Sequence, residues 1–227
     1  MLTLALETST PLASVALGDG PTLLAESLLP VRVTHSESVL PEIDRILHGC
    51  GKRPHEVEAV VVGAGPGSFT GVRIAASLGK GLCFAHKVAL YAYSSLTAIA
   101  AGVGVQGRVC ALLDARRGQV YAAGYLGGEE LRRLFGPTVS RVEELLGSLF
   151  PVDEWRFAGG GATRHAESIR AAGGTVLPPH LGVPRAAALL WLVRSSPESG
   201  LVTNVANWEP EYVRLSSAER EVGARWR

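Results

Sequence analysis

Short apolar runs alternate with turn residues over the first hundred positions of the chain. Three runs at the N-terminus, separated by tight turns, predict an antiparallel meander of strands. An apolar stripe with a period of about 3.6 residues then predicts a helix, and a β-branched run predicts a strand covered on both faces. The first half is therefore predicted as β-β-β-α-β-α-β-α, with elements near residues 2–6, 13–17, 22–29, 38–47, 57–62, 72–84, 88–93 and 96–101.

The start of the first helix is open to two interpretations. Thr34 and Glu37 have the spacing of a capping box, which would begin the helix before Ser38. Pro41 would then lie inside the helix, where it removes a backbone hydrogen bond. Either the helix begins near Ser38 or it is kinked at Pro41.

The second half repeats the order of strands followed by helices. Its predicted strands lie near residues 108–114, 119–126 and 155–158, and its predicted helices near 142–149, 163–172 and 186–193. Turn-rich residues 102–107 are the most plausible boundary, so we expect an N-terminal lobe of residues 1–103 and a C-terminal lobe of residues 104–227. The sequence leaves open whether the terminal segment returns to the first lobe. The expected fold class is α/β, with two lobes related by an ancient duplication.

Composition and charge exclude several classes of protein. Hydrophobic residues make up 47% of the chain, which rules out disorder, and the formal net charge of +1 gives no long-range field for gathering nucleic acid. Three widely spaced cysteines support neither a disulfide framework nor a zinc knuckle. The N-terminus lacks the basic region of a signal peptide, and no apolar run approaches about 18 residues. We therefore expect a cytoplasmic protein with no membrane contact.

Two glycine-rich junctions between a strand and a helix are candidate phosphate sites. Residues 63–71 and 159–162 would let backbone N–H groups approach an anion at a helix N-terminus. The first junction matches neither the Walker A pattern nor G-x-G-x-x-G. A tight strand–helix turn explains such loops equally well. The hydroxyl-rich turn at residues 8–10 has the same two interpretations.

No histidine has the spacing of a metal site. His35 would need a second ligand four residues later, where the chain has Val39. We therefore expect no metal.

Several segments occur together in one order: Leu4-Ala-Leu-Glu-Thr-Ser-Thr10, His35-Ser-Glu-Ser-Val-Leu-Pro41, Gly65-Pro-Gly-Ser-Phe-Thr-Gly-Val-Arg73, Leu113-Asp-Ala-Arg116 and Glu211-Tyr-Val-Arg-Leu-Ser-Ser-Ala218. This set resembles the bacterial TsaB (YeaZ) family. The resemblance implies a two-lobed actin/Hsp70/sugar-kinase fold with duplicated ribonuclease-H-like lobes. It also implies a non-catalytic partner of TsaD, the enzyme that places a threonylcarbamoyl group on the tRNA adenosine beside the anticodon. The ATPase TsaE joins that complex.

The chain departs from the TsaD pattern where that enzyme binds metal and nucleotide. Residues 91–100 contain no histidine, whereas TsaD-like enzymes have a histidine pair there, and Ala162 is followed by Thr163 rather than Asn. The resemblance thus implies no catalytic residue, no metal and no cofactor of its own, with ATP or ADP bound only in complex with partners. The vestigial nucleotide contacts it suggests are Thr8, Ser9, Gly65, Gly67, Gly159, Gly160 and Gly161.

The family's partner surface is formed by its first two helices. Carried over to this chain, the resemblance assigns the interface to Val39, Leu40, Ile43, Ile46, Leu47, Val72, Ala75, Ala76, Gly79 and Cys83. The same patch would pair two copies into a homodimer when TsaD is absent. Contact with tRNA would then be indirect, through the complex.

A rival hypothesis is an ATP-dependent phosphotransferase of the sugar- or acetate-kinase type, which would use the two glycine-rich junctions and the first hairpin. A third hypothesis is that the protein is a metalloprotease, which predicts bound zinc or iron. The sequence does not decide whether the arginine-rich C-terminal tail contacts tRNA.

Overall fold

The computed structural model describes residues 1–30, 35–104 and 106–213, with only the backbone of residues 35–37. The predicted capping box at Thr34 lies outside these ranges. The first helix includes Pro41 in its interior and spans His35–Gly49.

The first sheet contains the predicted N-terminal meander. Strands β1, β2 and β3 pair antiparallel, and β4 and β5 join β1 in parallel, which gives the order β3-β2-β1-β4-β5. Every residue of β1 and β4 is buried, so both faces of these strands are covered, as the near-continuous apolar runs predict. The strand bounds are Leu2–Glu7, Leu12–Asp19, Thr22–Pro30, Ala59–Gly63 and Ala89–Tyr93.

The second sheet repeats this topology in the order β10-β9-β6-β7-β8. Read from β8, its order is the same as that of the first sheet, with β6 in the place of β1. The strand bounds are Gly107–Asp114, Gln119–Gly127, Arg132–Arg141, Trp155–Ala158 and Thr175–Val176. Strand β8 was not predicted, because Gly136 and Pro137 interrupt its apolar pattern.

The duplicated strand order confirms the expected α/β fold class, with two halves of the same topology. The helices α1 to α8 span His35–Gly49, Phe69–His86, Ser95–Val103, Val142–Ser148, Gly160–Arg164, Ala166–Ala171, Ala186–Ser195 and Pro197–Gly200. The predicted single helix at 163–172 is wrong, because the structure divides this region into α5 and α6.

The helices and sheets form layers. Helices α1 and α2 cover one face of the first sheet, and α7 covers the other. Helix α3 packs against α7 and also supplies Leu96 and Ile99 to the core on the second sheet. Helices α4, α5 and α6 complete the outer side of the second sheet. Helix α3 follows the first sheet in sequence and α7 follows the second. Their contact with each other therefore joins the two halves.

A buried carboxylate anchors α7 to the first sheet. Glu26 of β3 accepts hydrogen bonds from Ala187 N (3.1 Å) and from Ser14 Oγ (3.0 Å), and it pairs with Arg185. Ser14 Oγ in turn accepts a hydrogen bond from Ala186 N (2.9 Å). Two strand side chains thus satisfy backbone donors that the first turn of α7 leaves free.

Candidate functional site

The inner faces of α1 and α2 are part of the protein core, which corrects the predicted docking face. Nine of the ten residues assigned to that face are buried in the chain itself: Val39, Ile43, Ile46, Leu47, Val72, Ala75, Ala76, Gly79 and Cys83. Their apolar stripes pack against the first sheet, as amphipathic helices usually do. These side chains are therefore not available to a partner.

Small residues on α2 serve close packing against strand β4. A Cβ atom at Gly79 would lie 2.6 Å from Val62 Cγ1, so the helix can approach the sheet here only because position 79 has no side chain. The resemblance assigned Ala75, Gly79 and Cys83 to a partner interface. The structure shows that the neighbour approached is the chain's own sheet.

The outer faces of the same helices do carry exposed apolar side chains. Leu40 of α1 is 52% exposed, and Phe84 of α2 is 61% exposed. Between the helices lies a groove of about 200 Å³ whose walls are mostly apolar. Its lining residues are Leu4, Leu40, Ile43, Asp44, Leu47, Pro54, Val57, Val60, Leu82, His86 and Val88. Leu40 is thus the one predicted interface residue that remains on the surface.

The first hairpin and the first glycine-rich loop are bonded to each other. Thr8 Oγ1 donates to Gly71 O (2.6 Å) and accepts from Ala75 N (3.2 Å), and Ser68 N donates to Ser9 O (2.7 Å). A Cβ atom at Gly67 would lie 2.6 Å from Ser9 Cβ. Thr8, Ser9 and Gly65 are buried. Close backbone packing therefore accounts for these residues.

Glu7 ends strand β1 and is fully buried beneath this loop. Its carboxylate accepts hydrogen bonds from Ser9 N (2.7 Å) and Ser95 Oγ (2.8 Å). Burial raises the pKa of Glu7 above its ordinary value, and these hydrogen bonds oppose the shift. A side chain at Gly63 would overlap the carboxylate, which explains the glycine at that position. The apolar pattern of β1 does not reveal that the strand ends in a buried carboxylate.

The second glycine-rich loop packs against the backbone of strand β6. A Cβ atom at Gly159 would overlap Leu112 O, and one at Gly161 would lie 3.0 Å from Leu112 C. Gly160 is exposed. Beside this loop, Arg164 Nη1 lies 2.6 Å from Asp114 Oδ2, at the end of β6. Close packing at the strand–helix junction thus accounts for Gly159 and Gly161, whereas a side chain at Gly160 would meet no neighbour.

A segment that sequence reasoning did not place reaches the first glycine-rich loop. We call residues 201–213 the C-terminal strap. It runs beside β5, where Val202 N donates to Leu90 O (2.9 Å), and crosses α2, where Lys80 Nζ donates to Ala206 O (3.3 Å). It then meets the loop, where Glu211 N donates to Ala64 O (2.9 Å).

Aromatic and cationic side chains hold the end of the strap. The rings of Phe69 and Tyr212 are 5.5 Å apart, and the Arg73 guanidinium lies 3.7 Å from the centre of the Phe69 ring. Arg73 Nε also donates to the Tyr212 hydroxyl (3.0 Å). Nearby, burial raises the pKa of Glu211, and the charge of Arg133 opposes the shift. The described part of the strap therefore returns to the first lobe.

Two further observations concern metals and membranes. Among residues 1–30, 35–104 and 106–213, no three His, Cys, Asp or Glu side chains cluster as a metal site would require. In the same part of the chain, no helix has both the length and the apolar character needed to cross a bilayer.

Comparison with known proteins decides the family. Residues 30–207 match the family model described as TsaD, tRNA N6-adenosine threonylcarbamoyltransferase. The tRNA threonylcarbamoyladenosine biosynthesis protein TsaB of Escherichia coli is 30% identical over 234 residues, covering 98% of each chain. This chain belongs to the TsaB (YeaZ) family. TsaB of Bacillus subtilis is 37% identical over 126 residues, which is 55% of each chain.

Solved structures agree with that assignment. YeaZ from Pseudomonas aeruginosa is 29% identical, with a TM-score of 0.78, and the match covers 93% of this chain and 99% of that one. The TsaB membership and the TsaD family match together make the chain a relative of TsaD within tRNA threonylcarbamoyladenosine biosynthesis.

Proposed function

We propose that this chain is a non-catalytic partner of a TsaD-type threonylcarbamoyltransferase and that it docks through the outer faces of α1 and α2. The observation that carries the proposal is the exposed Leu40 on the wall of the apolar groove between these helices, together with the exposed Phe84 elsewhere on α2. Large apolar side chains around a pocket are typical of the centre of a protein interface. The interface thus uses a different set of residues from the buried stripes.

The geometry of the first hairpin and the first glycine-rich loop favours a non-catalytic role over phosphoryl transfer. The Thr8 hydroxyl, which a phosphate site would use as a donor, instead donates to Gly71 O in the first glycine-rich loop, and Ser9 O accepts a hydrogen bond from Ser68 N of the same loop. The acidic Glu7 is held by two internal hydrogen-bond donors. A phosphoryl-transfer site instead needs donors that point at the transferred group. ATP or ADP would bind only in the complex with TsaD and TsaE.

The remaining parts of the proposal concern the cellular setting. The complex would act on tRNA in the cytoplasm, and this chain would meet the tRNA only through the complex. In the absence of TsaD, the chain would form a homodimer.

Reconstitution tests the proposed role. TsaD and TsaE from the same organism are mixed with and without this chain, and threonylcarbamoyl transfer to tRNA is measured. We expect transfer only when the chain is present. Full transfer without it would refute the proposal.

Surface variants test the proposed interface. Leu40→Asp and Phe84→Asp should weaken TsaD binding by at least about tenfold, because each puts a charge in an apolar contact. Phe150→Asp is the matched control, since Phe150 is 90% exposed and lies in the second lobe. Binding by calorimetry should be unchanged in this control. Equal affinity for all variants would exclude the α1–α2 surface.

Titration of the isolated chain with Mg·ATP separates the partner hypothesis from the phosphotransferase hypothesis. We expect no heat of binding and no hydrolysis. Micromolar binding accompanied by hydrolysis would favour a kinase.

A further inference from the structure

Four arginines surround the turn between β6 and β7. Arg116 and Arg117 lie in the turn itself, which is closed by a hydrogen bond from Gln119 N to Arg116 O (3.1 Å). Arg141 lies beside the turn, because it is the register partner of Gln119 at the end of β8. Arg164 of α5 reaches the same place by pairing with the last residue of β6. We call these four arginines the basic turn.

The carboxylates beside the basic turn are held by donors of the chain itself. Asp114 accepts hydrogen bonds from Arg116 N (2.9 Å) and from Arg164 Nη1 (2.6 Å). Glu144 of α4 accepts one from Arg141 N (3.3 Å). The other three guanidinium groups of the basic turn belong to exposed residues, and none of them forms an ion pair with any residue that the structure describes. Three positive charges therefore face solvent.

The backbone of the turn has a conformation that side chains disfavour. The angle φ is +61° at Arg116 and +55° at Arg117, which places both residues in the left-handed region. Glycine or asparagine adopts this region more readily than arginine does. The geometry of the turn therefore does not account for the two arginines.

The phosphate groups of an RNA fit the basic turn better than the surface of another protein does. Guanidinium groups bind phosphate oxygens through two parallel hydrogen bonds. The centre of a protein interface would also need large apolar side chains, and none of those exposed in the described residues lies in the turn or next to Arg141 or Arg164. The net charge of +1 gives no long-range attraction, so contact with RNA has to be local.

We propose that the basic turn contacts the phosphate backbone of tRNA when this chain is assembled with its TsaD-type partner. This inference rests on the proposed function and adds a direct contact within the complex. The basic turn lies in the second lobe and shares no residue with the docking surface proposed on α1 and α2. About three phosphate contacts give only a weak and salt-sensitive interaction. The isolated chain should therefore hold tRNA poorly, and the contact adds affinity once the complex has formed.

The salt dependence of tRNA binding tests this contact. The complex of TsaD with the natural chain is compared with the complex that carries Arg116→Gln and Arg117→Gln together. Fluorescence anisotropy of labelled tRNA gives the dissociation constant at each salt concentration. Its logarithm should rise with the logarithm of salt with a slope lower by about 1 to 2 in the double variant, since each lost phosphate contact removes about 0.7 to 0.9. At low salt the dissociation constant should be at least about threefold higher than for the natural chain.

A second double variant controls for the loss of two charges. Arg132→Gln with Arg194→Gln removes exposed arginines at the other end of β8 and on α7. Its slope should equal that of the natural chain. Equal slopes for the natural chain and the turn variant would overturn the proposal. Equal losses in the two double variants would also overturn it, because tRNA would then sense only the overall charge.

Gel filtration of each variant with TsaD and TsaE separates this contact from the proposed function. Weaker binding of the turn variant to either protein, with unchanged affinity for tRNA, would make the basic turn a protein surface and contradict the proposal. If the natural chain does not bind TsaD, the proposed function fails by itself. The two double variants are then compared as isolated chains at low salt, where equal slopes would overturn the contact.

Modification of arginines by phenylglyoxal locates the contact in the natural complex. Mass spectrometry should show that tRNA slows the modification of Arg116 and Arg117, but not that of Arg132 and Arg194. Mg·ATP in place of tRNA should give no protection. Equal protection by ATP and by tRNA would indicate a nucleotide site, and the proposal would be wrong.

Arg117→Gly separates a role in binding from a role in the fold. Glycine relieves the left-handed backbone, so the Tm of this variant should be unchanged or higher. Its affinity for tRNA within the complex should nevertheless fall. A lower Tm with unchanged affinity would show that the arginine serves the turn alone.

Discussion

Helix α1 has 15 residues, whereas α4, which follows the third strand of the second lobe, has seven. Likewise α2 has 18 residues, whereas the equivalent region of the second lobe is divided into α5 and α6, of five and six residues. The short helices pack against one another, while the long ones leave outer faces with Leu40 and Phe84 exposed. One strand order thus supports two different surfaces, and the docking surface proposed above lies on the first lobe.

The ends of the central strands differ in the same way. Strand β1 ends in the buried Glu7, which has hydrogen-bond donors around it, whereas β6 ends in Asp114, which is paired with Arg164 near the surface. Duplication thus preserved the backbone arrangement, while side chains at equivalent positions acquired different environments.

The largest effect should come from a charge on the inner face of α2. Ala75→Arg places a guanidinium in the core of the first lobe and should lower the free energy of unfolding by at least about 3 kcal/mol. Ser77→Arg, on the exposed face of the same helix, should change it by less than about 0.5 kcal/mol. Urea unfolding measures both. If the Ala75→Arg protein were as stable as the natural chain and had lost only its binding to TsaD, the interface first assigned to the inner face of α2 would be correct.

The next effect concerns the contact of α7 with the first sheet. Glu26→Ala removes the acceptor of Ala187 N and leaves Arg185 without its carboxylate, so we expect a loss of about 3 kcal/mol. Glu26→Gln keeps an acceptor oxygen and should cost less. Hydrogen exchange should show faster opening of α7 than of α4 in the alanine variant. Unchanged exchange in α7 would show that this carboxylate does not anchor the helix.

Glu7→Gln should change how stability depends on pH. Because the folded pKa lies above the ordinary value of 4.5, the folded state of the natural chain binds more protons than the unfolded state just above that value. Its free energy of unfolding therefore falls as the pH rises through that window. The glutamine variant lacks this loss, so at neutral pH it should be more stable than the natural chain, and the gain should shrink as the pH falls toward 4.

Asp114→Asn is the matched change in the second lobe. It breaks a largely exposed ion pair and should cost less than about 1 kcal/mol. Unfolding curves at several pH values compare the two variants. A gain for Glu7→Gln that is the same at all pH values would contradict the assignment to ionisation.

The most local effect should come from the end of the strap. Tyr212→Ala removes the ring contacts with Phe69 and Arg73 and should cost about 1 kcal/mol. Tyr212→Phe keeps the ring and loses only the hydrogen bond from Arg73, so it should cost less. Limited proteolysis near residue 210 reports the release of the strap directly. Equal cleavage of all three proteins would show that the ring does not hold it.

Local patterns predicted regular elements well where one signal dominated. The run at 57–62 overlaps the buried strand β4, and the helices predicted at 38–47 and 72–84 lie within α1 and α2, because burial of a repeating face is what forms these elements. Strand β8 was missed because Gly136 and Pro137 break its local pattern, and pairing with β7 supplies the missing stabilisation. The division between α5 and α6 at His165 was missed because no glycine or proline marks it.

The candidate site was predicted only in part. The two glycine-rich loops were identified, yet the sequence could not distinguish a phosphate cradle from close backbone packing, since both require glycine. A side chain at Gly67 would overlap Ser9, and one at Gly161 would crowd Leu112. Close backbone packing therefore explains the glycine at each of these two positions. The strap was unpredictable because Glu211 and Ala64 are far apart in sequence and their contact leaves no periodic signal.

The sequence by itself determined the two-lobed α/β architecture and the family, because apolar periodicity and ordered motifs are properties of the chain read in one dimension. Only the tertiary structure decided which side of each predicted helix is core and which side is surface. An apolar stripe indicates that a face is buried, but it does not say whether the covering layer is the chain's own sheet or another protein. Here Gly79 lies against Val62, and Leu40 remains exposed.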